Sequence, residues 1–434
     1  MWPRRRETSP EEKTHPENNF IDCPDGGRQA WLQVFVATLI TMIVWGYPTS
    51  FGVYQLYYLD TLKLPSDIVP WIGSAQAFLA FALCTVSGIM ADMGLVRLAM
   101  TFGCVLVVVG TLLTSTICGS DTSGLEKAWG LFLSQGIITG MGLGFCYMPP
   151  LSVANSYFSE QRRPFALAVA ATGTGIGSIV FTLLVQYLTP VIGFEWTVRC
   201  QAFVVLAISV VAVVIVKPRL EPTIGSKSWD GEMFKDWPCR LFTCGACLFF
   251  FAIFFAFFCI NGYARDVVNL SPTTANQMLL IATGLSILGR LLSGYVAQRF
   301  LGAIRTYSFA TCILSILIFI WITVWTPDNM YAFSALIGFF TGAAQGLYGG
   351  ALSSLTRDPS KFGIRVGMVS TIAAFFALAG PPVARAITHA DSGRYTYAQV
   401  WAGLVLFLAS MLLMAAGAKA DGRGWKAWVL GRAE

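Results

Sequence analysis

The sequence predicts an all-α membrane protein: twelve transmembrane helices in two six-helix halves, both termini cytoplasmic. Three observations lead there. Of 434 residues, 55% are hydrophobic and only 12% charged, against about 25% charged in soluble domains, and mean hydropathy is +0.64. Apolar runs long enough to cross a bilayer, about 20 residues each, recur along the whole chain. The loops between them alternate in Lys and Arg content in a way that only an even number of spans satisfies.

Residues 1–28 are predicted to be a disordered cytoplasmic tail. MWPRRRETSPEEKTHPENN is polar and rich in proline and has no apolar core of a secretory signal peptide, so the first span must act as its own anchor. PDGGRQAW (Pro24–Trp31) forms the threshold. Asp25 is placed to cap span 1 or meet its positive end. Gly26 and Gly27 permit a sharp turn, Arg28 stays with the headgroups, and Trp31 anchors at the interface.

The first half, 29–216, holds spans 29–57, 68–91, 95–117, 128–155, 164–188 and 197–216. A cytoplasmic linker follows at 217–239. The second half, 240–418, holds spans 240–262, 273–297, 303–325, 329–355, 364–388 and 396–418, and residues 419–434 form a second cytoplasmic tail. With the N-terminus inside, 22 of the 29 Lys and Arg fall in inner segments and five outside (Lys63, Lys127, Arg199, Arg265 and Arg394). The remaining two, Arg290 and Arg385, fall well inside spans. The halves share punctuation: GIMADMGLVR (Gly88–Arg97) follows span 2 and GYVAQRFLGAIR (Gly294–Arg305) follows span 8. Two related six-helix halves describe a transporter with its site between them.

Other classes are poorly served. The eleven Cys are scattered. Cys244 and Cys247 alone have a metal-type spacing, with no second pair or His nearby, and read as buried thiols. The only His are His15 and His389. No metal, cofactor or nucleic-acid partner is expected, and no cluster of His, Cys or acids at one depth supports a membrane enzyme. A non-transporting nutrient sensor would need a long signalling tail.

Gly88 lets two helices approach closely, Asp92 can meet the positive N-terminus of a neighbouring helix, and Arg97 can pair with a carboxylate or with helix-end carbonyls. The segment resembles the loop signature G-x-x-x-D-x-x-G-x-x-R/K of the major facilitator superfamily, shortened by one residue. The threshold resembles the D-G-G-x-x-W of monocarboxylate porters, fungal members included, and YFSEQRRPFALAVAATGTGIG (Tyr157–Gly177) resembles that family's second signature. GYARD (Gly262–Asp266) and GPP (Gly380–Pro382) also fit. The resemblance implies the major facilitator fold, transport by alternating access, an inner gate built from Gly88, Asp92 and Arg97, and Arg162 and Arg163 as cytosolic anchors at the mouth of span 5.

The resemblance also marks two departures. Its Lys slot in span 1 is Thr49 here, and its Asp slot in span 8 is Ser286, while its Arg is present as Arg290. Arg290 is permanently charged and can grip a carboxylate bidentately, and charge inside a span points to function. Thr49, Asn261, Gln345, Tyr348, Tyr47 and Asn155 are expected to shape the cavity around it, with Tyr54, Gln76 and Gln135 as further polar candidates. Arg385 is expected to snorkel at the outer interface. Asn269-Leu-Ser271 is a glycosylation sequon in the loop after span 7. The expected cargo is an anionic or weakly acidic small molecule, an organic acid or carboxylate-like secondary metabolite. It crosses a bilayer, the plasma membrane first in line, with export favoured and protons a candidate coupling ion. Proton-linked uptake of a simple monocarboxylate is the alternative.

Overall fold

The computed structural model describes residues 25–120, 124–219, 230–356, 358–391 and 394–422. Most of the expected tails, and 220–229 of the linker, lie outside the described residues. Among those described, twelve helices are long and apolar enough to cross a membrane, with mean hydropathy from 1.2 to 2.5. They are α1 (Gly27–Asp60), α2 (Val69–Asp92), α3 (Val96–Cys118), α4 (Gly124–Ser156), α5 (Arg163–Ile192), α6 (Phe194–Ile215), α7 (Trp237–Asp266), α8 (Pro272–Val296), α9 (Ala303–Trp321), α10 (Pro327–Ser354), α11 (Phe362–Ala390) and α12 (Thr396–Ala420). We call the side on which the chain enters α1 and leaves α12 the tail face, and the opposite side the far face.

Several helices depart from plain α geometry. Residues Phe132–Thr139 of α4 wind as a π-helix, α8 continues as a π-helical turn over Ala297–Leu301, and α2 breaks at Leu83. Freed backbone groups inside a bilayer must be satisfied within the bundle. In α4 the Thr139 hydroxyl does this, donating to the Ser134 carbonyl at 3.0 Å.

Small residues set the packing inside each half. On α10, Gly338, Gly342 and Gly346 face Ala282, Ser286 and Arg290 of α8, four residues apart on both helices, and Gly289 of α8 faces the Phe339 carbonyl in return. In the first half Gly173 and Gly177 of α5 face Thr38 and Met42 of α1, and Gly46 of α1 faces Gly177. With no side chain at these positions the backbones approach closely, which drives helix association where lipid removes the hydrophobic incentive. Helices α3, α6, α9 and α12 turn apolar stripes outward: Leu98, Phe102, Val105 and Val109 on α3, and Phe203, Leu206, Val210 and Val214 on α6, are all exposed. Such stripes are the surface lipid covers.

The linker is pinned at both ends. Arg97 donates to the Val216 carbonyl from Nε (3.3 Å) and Nη2 (3.1 Å), Gln33 Oε1 accepts from the Lys217 amide, and the Tyr157 hydroxyl donates to the Lys217 carbonyl. At the other end Asp230 forms a 2.9 Å ion pair with Arg365 of α11.

Candidate functional site

Two seams join the halves, and the contacts that cross them gather toward the tail face. In the α2–α11 seam Gly88 abuts the Gly363 backbone and Gly367 abuts Cys84 and Thr85. Next to them Asp92 accepts from the Ile364 amide at 2.7 Å, the Gly363 amide at 3.2 Å and the Ser152 hydroxyl at 3.3 Å. The two amides are donors left over at the start of α11, so Asp92 caps a helix of the opposite half. One turn deeper the Thr85 and Thr371 hydroxyls lie 2.7 Å apart, and Thr371 donates to the Ala82 carbonyl at 2.9 Å. In the α5–α8 seam Gly175 meets Ile287 and Gly294 meets Ala168 and Phe165. Between the seams Asn155 of α4 accepts from Ser353 of α10 at 2.8 Å.

Toward the far face the packing loosens. Phe78 and Phe375 still touch edge to face at 5.1 Å, but one to two turns further Trp71 is 58% exposed. Thr49 of α1 is exposed, and a Cβ placed on Gly52 of α1 or Gly284 of α8 would meet nothing within 4 Å. The molecule is shut at the tail face and parted at the far face.

At the bottom of the parted region lies a chain of rings from five helices. Tyr147 (α4) meets Trp45 (α1) at 5.7 Å, Trp45 meets Phe81 (α2) at 4.5 Å, Phe81 meets Phe250 (α7) at 5.2 Å, and Phe250 meets Tyr348 (α10) at 5.3 Å. Beside it Arg290 is 2% exposed. Its Nη1 donates to Ser286 Oγ (2.7 Å) and the Ser286 carbonyl (3.1 Å), and its Nη2 to Gln345 Oε1 (2.8 Å). Its Nε has no partner. A Cβ at Gly346 would stand 2.9 Å from Arg290 Cγ, so the glycine makes the room in which the arginine lies.

Arg290 and Gln345 are thus brought together as a bonded pair. Tyr348, one turn nearer the tail face, is 3.1 Å from Ser370 Oγ. Thr49 lies 2.8 Å from the Gly46 carbonyl and 2.9 Å from Ser178 Oγ, on the parted side. Asn261 is half-buried in the last turns of α7, and Asn269 stands exposed in the loop after it.

Three expectations are corrected. Tyr47 does not reach the cavity: it is fully buried against Tyr54 and Phe181 inside the first half. It sits two residues from both Trp45 and Thr49, about 200° around a 3.6-residue helix, so it must face away from them. Asn155 lies in the closed tail-face contact, not the cavity. Asp25 does not cap α1; its carboxylate accepts from the Ser159 amide at 2.6 Å, while Gly26 (φ 141°) and Gly27 (φ 84°) turn the chain. Burial pushes the Asp25 carboxyl up, but the Ser159 bonds and the Arg162 and Arg163 charges outweigh it and hold the group below its ordinary value. Arg162 and Arg163, expected as cytosolic anchors at the mouth of span 5, fasten the loop there: Arg162 donates to the Asp25 carbonyl, and buried Arg163 to the Phe158 carbonyl at 2.8 Å. Trp45, Phe81, Tyr147, Thr85 and Thr371 were missed. The i, i+4 pair Trp45–Thr49 was the signal for the first.

The comparisons with known proteins decide the family. The profile described as Major Facilitator Superfamily matches residues 34–357. The chain belongs to this superfamily. It is 35% identical over 396 residues to an MFS-type transporter of Gibberella zeae, covering 91% of this chain and 87% of the relative. It is 29% identical over 419 residues to the aspyridones efflux protein apdF of Emericella nidulans, covering 95% and 83%. The facilitator's fold matches a solved structure of the transporter FucP in the outward conformation, with TM-score 0.68 at 14% identity over 90% of this chain and 99% of that one. It is a multi-pass membrane transporter of small molecules.

Proposed function

We propose that this facilitator exports a small organic acid or carboxylate-bearing secondary metabolite, and that Arg290 meets the carboxylate. The carrying observation is the company Arg290 keeps. Its donors meet only neutral acceptors, one nitrogen has no partner, and the ion pairs among the described residues do not include it. A buried cation without a counter-charge is costly, and an arriving carboxylate removes that cost while gaining charge-assisted hydrogen bonds. The efflux named for the Emericella relative supports the direction, and the resemblance to monocarboxylate porters supports the acid. Thr49 and Ser286 stand where that resemblance places Lys and Asp, which speaks against proton handling by those slots. The surplus of basic residues on the tail face supports a cytoplasmic tail face, with Asp92 as the inner latch and the far face open outward, and we place the protein in the plasma membrane. The test is flux of a panel of carboxylic acids into proteoliposomes. Arg290→Gln should cut flux of the transported acid about tenfold to a hundredfold, the size of a lost charge-assisted bond of about 1.5–3 kcal/mol. Unchanged flux of every acid in Arg290→Gln would overturn the assignment.

A further inference from the structure

The α2–α11 seam carries a register that runs beyond its present contacts. On α2 the stripe Asp92, Gly88, Thr85, Phe81, Phe78 advances by alternating steps of four and three residues, the spacing that keeps one face of a helix on a partner. On α11 Ile364, Gly367, Thr371 and Phe375 also advance by threes and fours. The helices run antiparallel, and the observed pairs are Asp92 with Ile364, Thr85 with Thr371 and Phe78 with Phe375. Continuing the same steps toward the far face gives Ser74 and Trp71 on α2, with Asp67 in the turn just before its first residue, and Leu378, Pro382 and Arg385 on α11. Among the described residues no hydrogen bond, ion pair or ring contact joins the two sets here. Trp71 is 58% exposed, and Pro382, Arg385 and Asp67 are exposed. Neither Asp67 nor Arg385 belongs to an ion pair among the described residues. Asp67 accepts from its neighbour Ser66 at 3.3 Å. Of the other charges nearby, Lys63 sits in the preceding loop, off the stripe, and Asp391 lies 3.8 Å from Arg394.

We propose that Asp67 and Arg385 form an ion pair that latches the far face when the transporter swings to its opposite state, with Trp71 closing on Pro382. One stripe then serves both states. Its tail-face half, ending at Asp92 and the α11 N-terminus, is closed in this structure, and its far-face half, ending at Asp67 and Arg385, closes in the other. Phe78 and Phe375 stand at the crossover. The break at Leu83 and the Pro381–Pro382 pair flank that point, and breaks of these kinds are where helices bend. In that closed state Arg385 serves as a gate residue against α2.

The experiment labels Ser74→Cys in the otherwise complete protein in detergent with a soluble thiol reagent, read by mass spectrometry at that position. Asp67→Arg and Arg385→Asp should each raise the labelling rate about twofold to fivefold, the size of a solvent-facing ion pair, and the double swap should return it to that of the parent. Arg385→Gln, which keeps the length without the charge, should raise it as well and guards against misfolding in the swaps. Labelling that is unmoved in the single variants, or not restored in the double, overturns the latch.

Discussion

Asp92→Asn removes a charge and little else, so it isolates what the carboxylate does at the tail face. The present group takes two α11 amides at 2.7 and 3.2 Å and one hydroxyl at 3.3 Å. Asparagine keeps one carbonyl oxygen, which can still accept from one amide. What disappears is one acceptor and the attraction between the carboxylate and the positive end of a 29-residue helix. A charge at a helix terminus is worth about 0.3–1 kcal/mol when exposed and up to about 2 in partly buried geometry. Asp92 is half-buried, so about 1–2 kcal/mol is the expected loss, a factor of about 5–30 in the balance between states. The assay is electron–electron distance measurement between spin labels at Ser66 and Thr388, which report the far-face gap between α2 and α11. The wide population should shrink by that factor in Asp92→Asn. Ser152→Ala removes only the longest of the three bonds and should shift it less than twofold. If Asp92→Asn lowered thermal stability while leaving the distance distribution unchanged, the carboxylate would be a structural cap and not a latch.

Three further outcomes follow, two from packing and one from charge. Gly342→Ala places a methyl 2.6 Å from Ser286 Cα, and such overpacking costs about 1–3 kcal/mol, so its melting temperature in detergent should fall. Gly284→Ala, with open space around it, should hold or gain by up to about 1 kcal/mol from helix propensity. Because the Asp25 carboxyl is held below its ordinary value of 3.8, its contribution is complete above that value and is lost as pH falls through the folded one. Asp25→Asn should therefore narrow the difference in melting temperature between pH 6 and pH 3.

Much of this was legible because the bilayer dictates it. Length and hydropathy gave every span to within a few residues, apart from longer N-terminal extents such as Gly124 for α4 and the extra turn to Asp60 in α1. The glycines of α5 pointed to close approach, and close approach is what they provide. Illegible were the partners across the halves. Asp92 meets the start of a neighbouring helix as its motif suggested, but no sequence pattern marks that helix as α11, and Thr85 meets Thr371 across 286 positions. The direction of Tyr47 was readable from its two-residue offset to Trp45, but polarity suggested a cavity residue. In fact its neighbour Tyr54 donates to Gln201 at 2.6 Å inside the first half, where tyrosine and glutamine satisfy each other away from lipid.

Ser286 offers the sharpest way to ask why Arg290 is left without an acid. Its hydroxyl lies 2.7 Å from Arg290 Nη1, so Ser286→Asp would put a carboxylate within reach of the guanidinium from the preceding turn. Opposite charges at about 4 Å attract by about 4 kcal/mol at an effective dielectric of 20, part of which is offset by stripping water from the new carboxylate. If the arginine is held unpaired so that cargo can supply its counter-ion, the internal acid will compete with that cargo. Affinity for the transported acid at pH 7 should weaken about tenfold or more, while thermal stability without cargo rises. Binding should recover as pH falls and the added carboxyl takes up a proton, giving the variant a pH dependence that the parent lacks. A Ser286→Asp variant that binds the acid as tightly as the parent at pH 7 would show that Arg290 holds helices together and leaves the cargo to other groups.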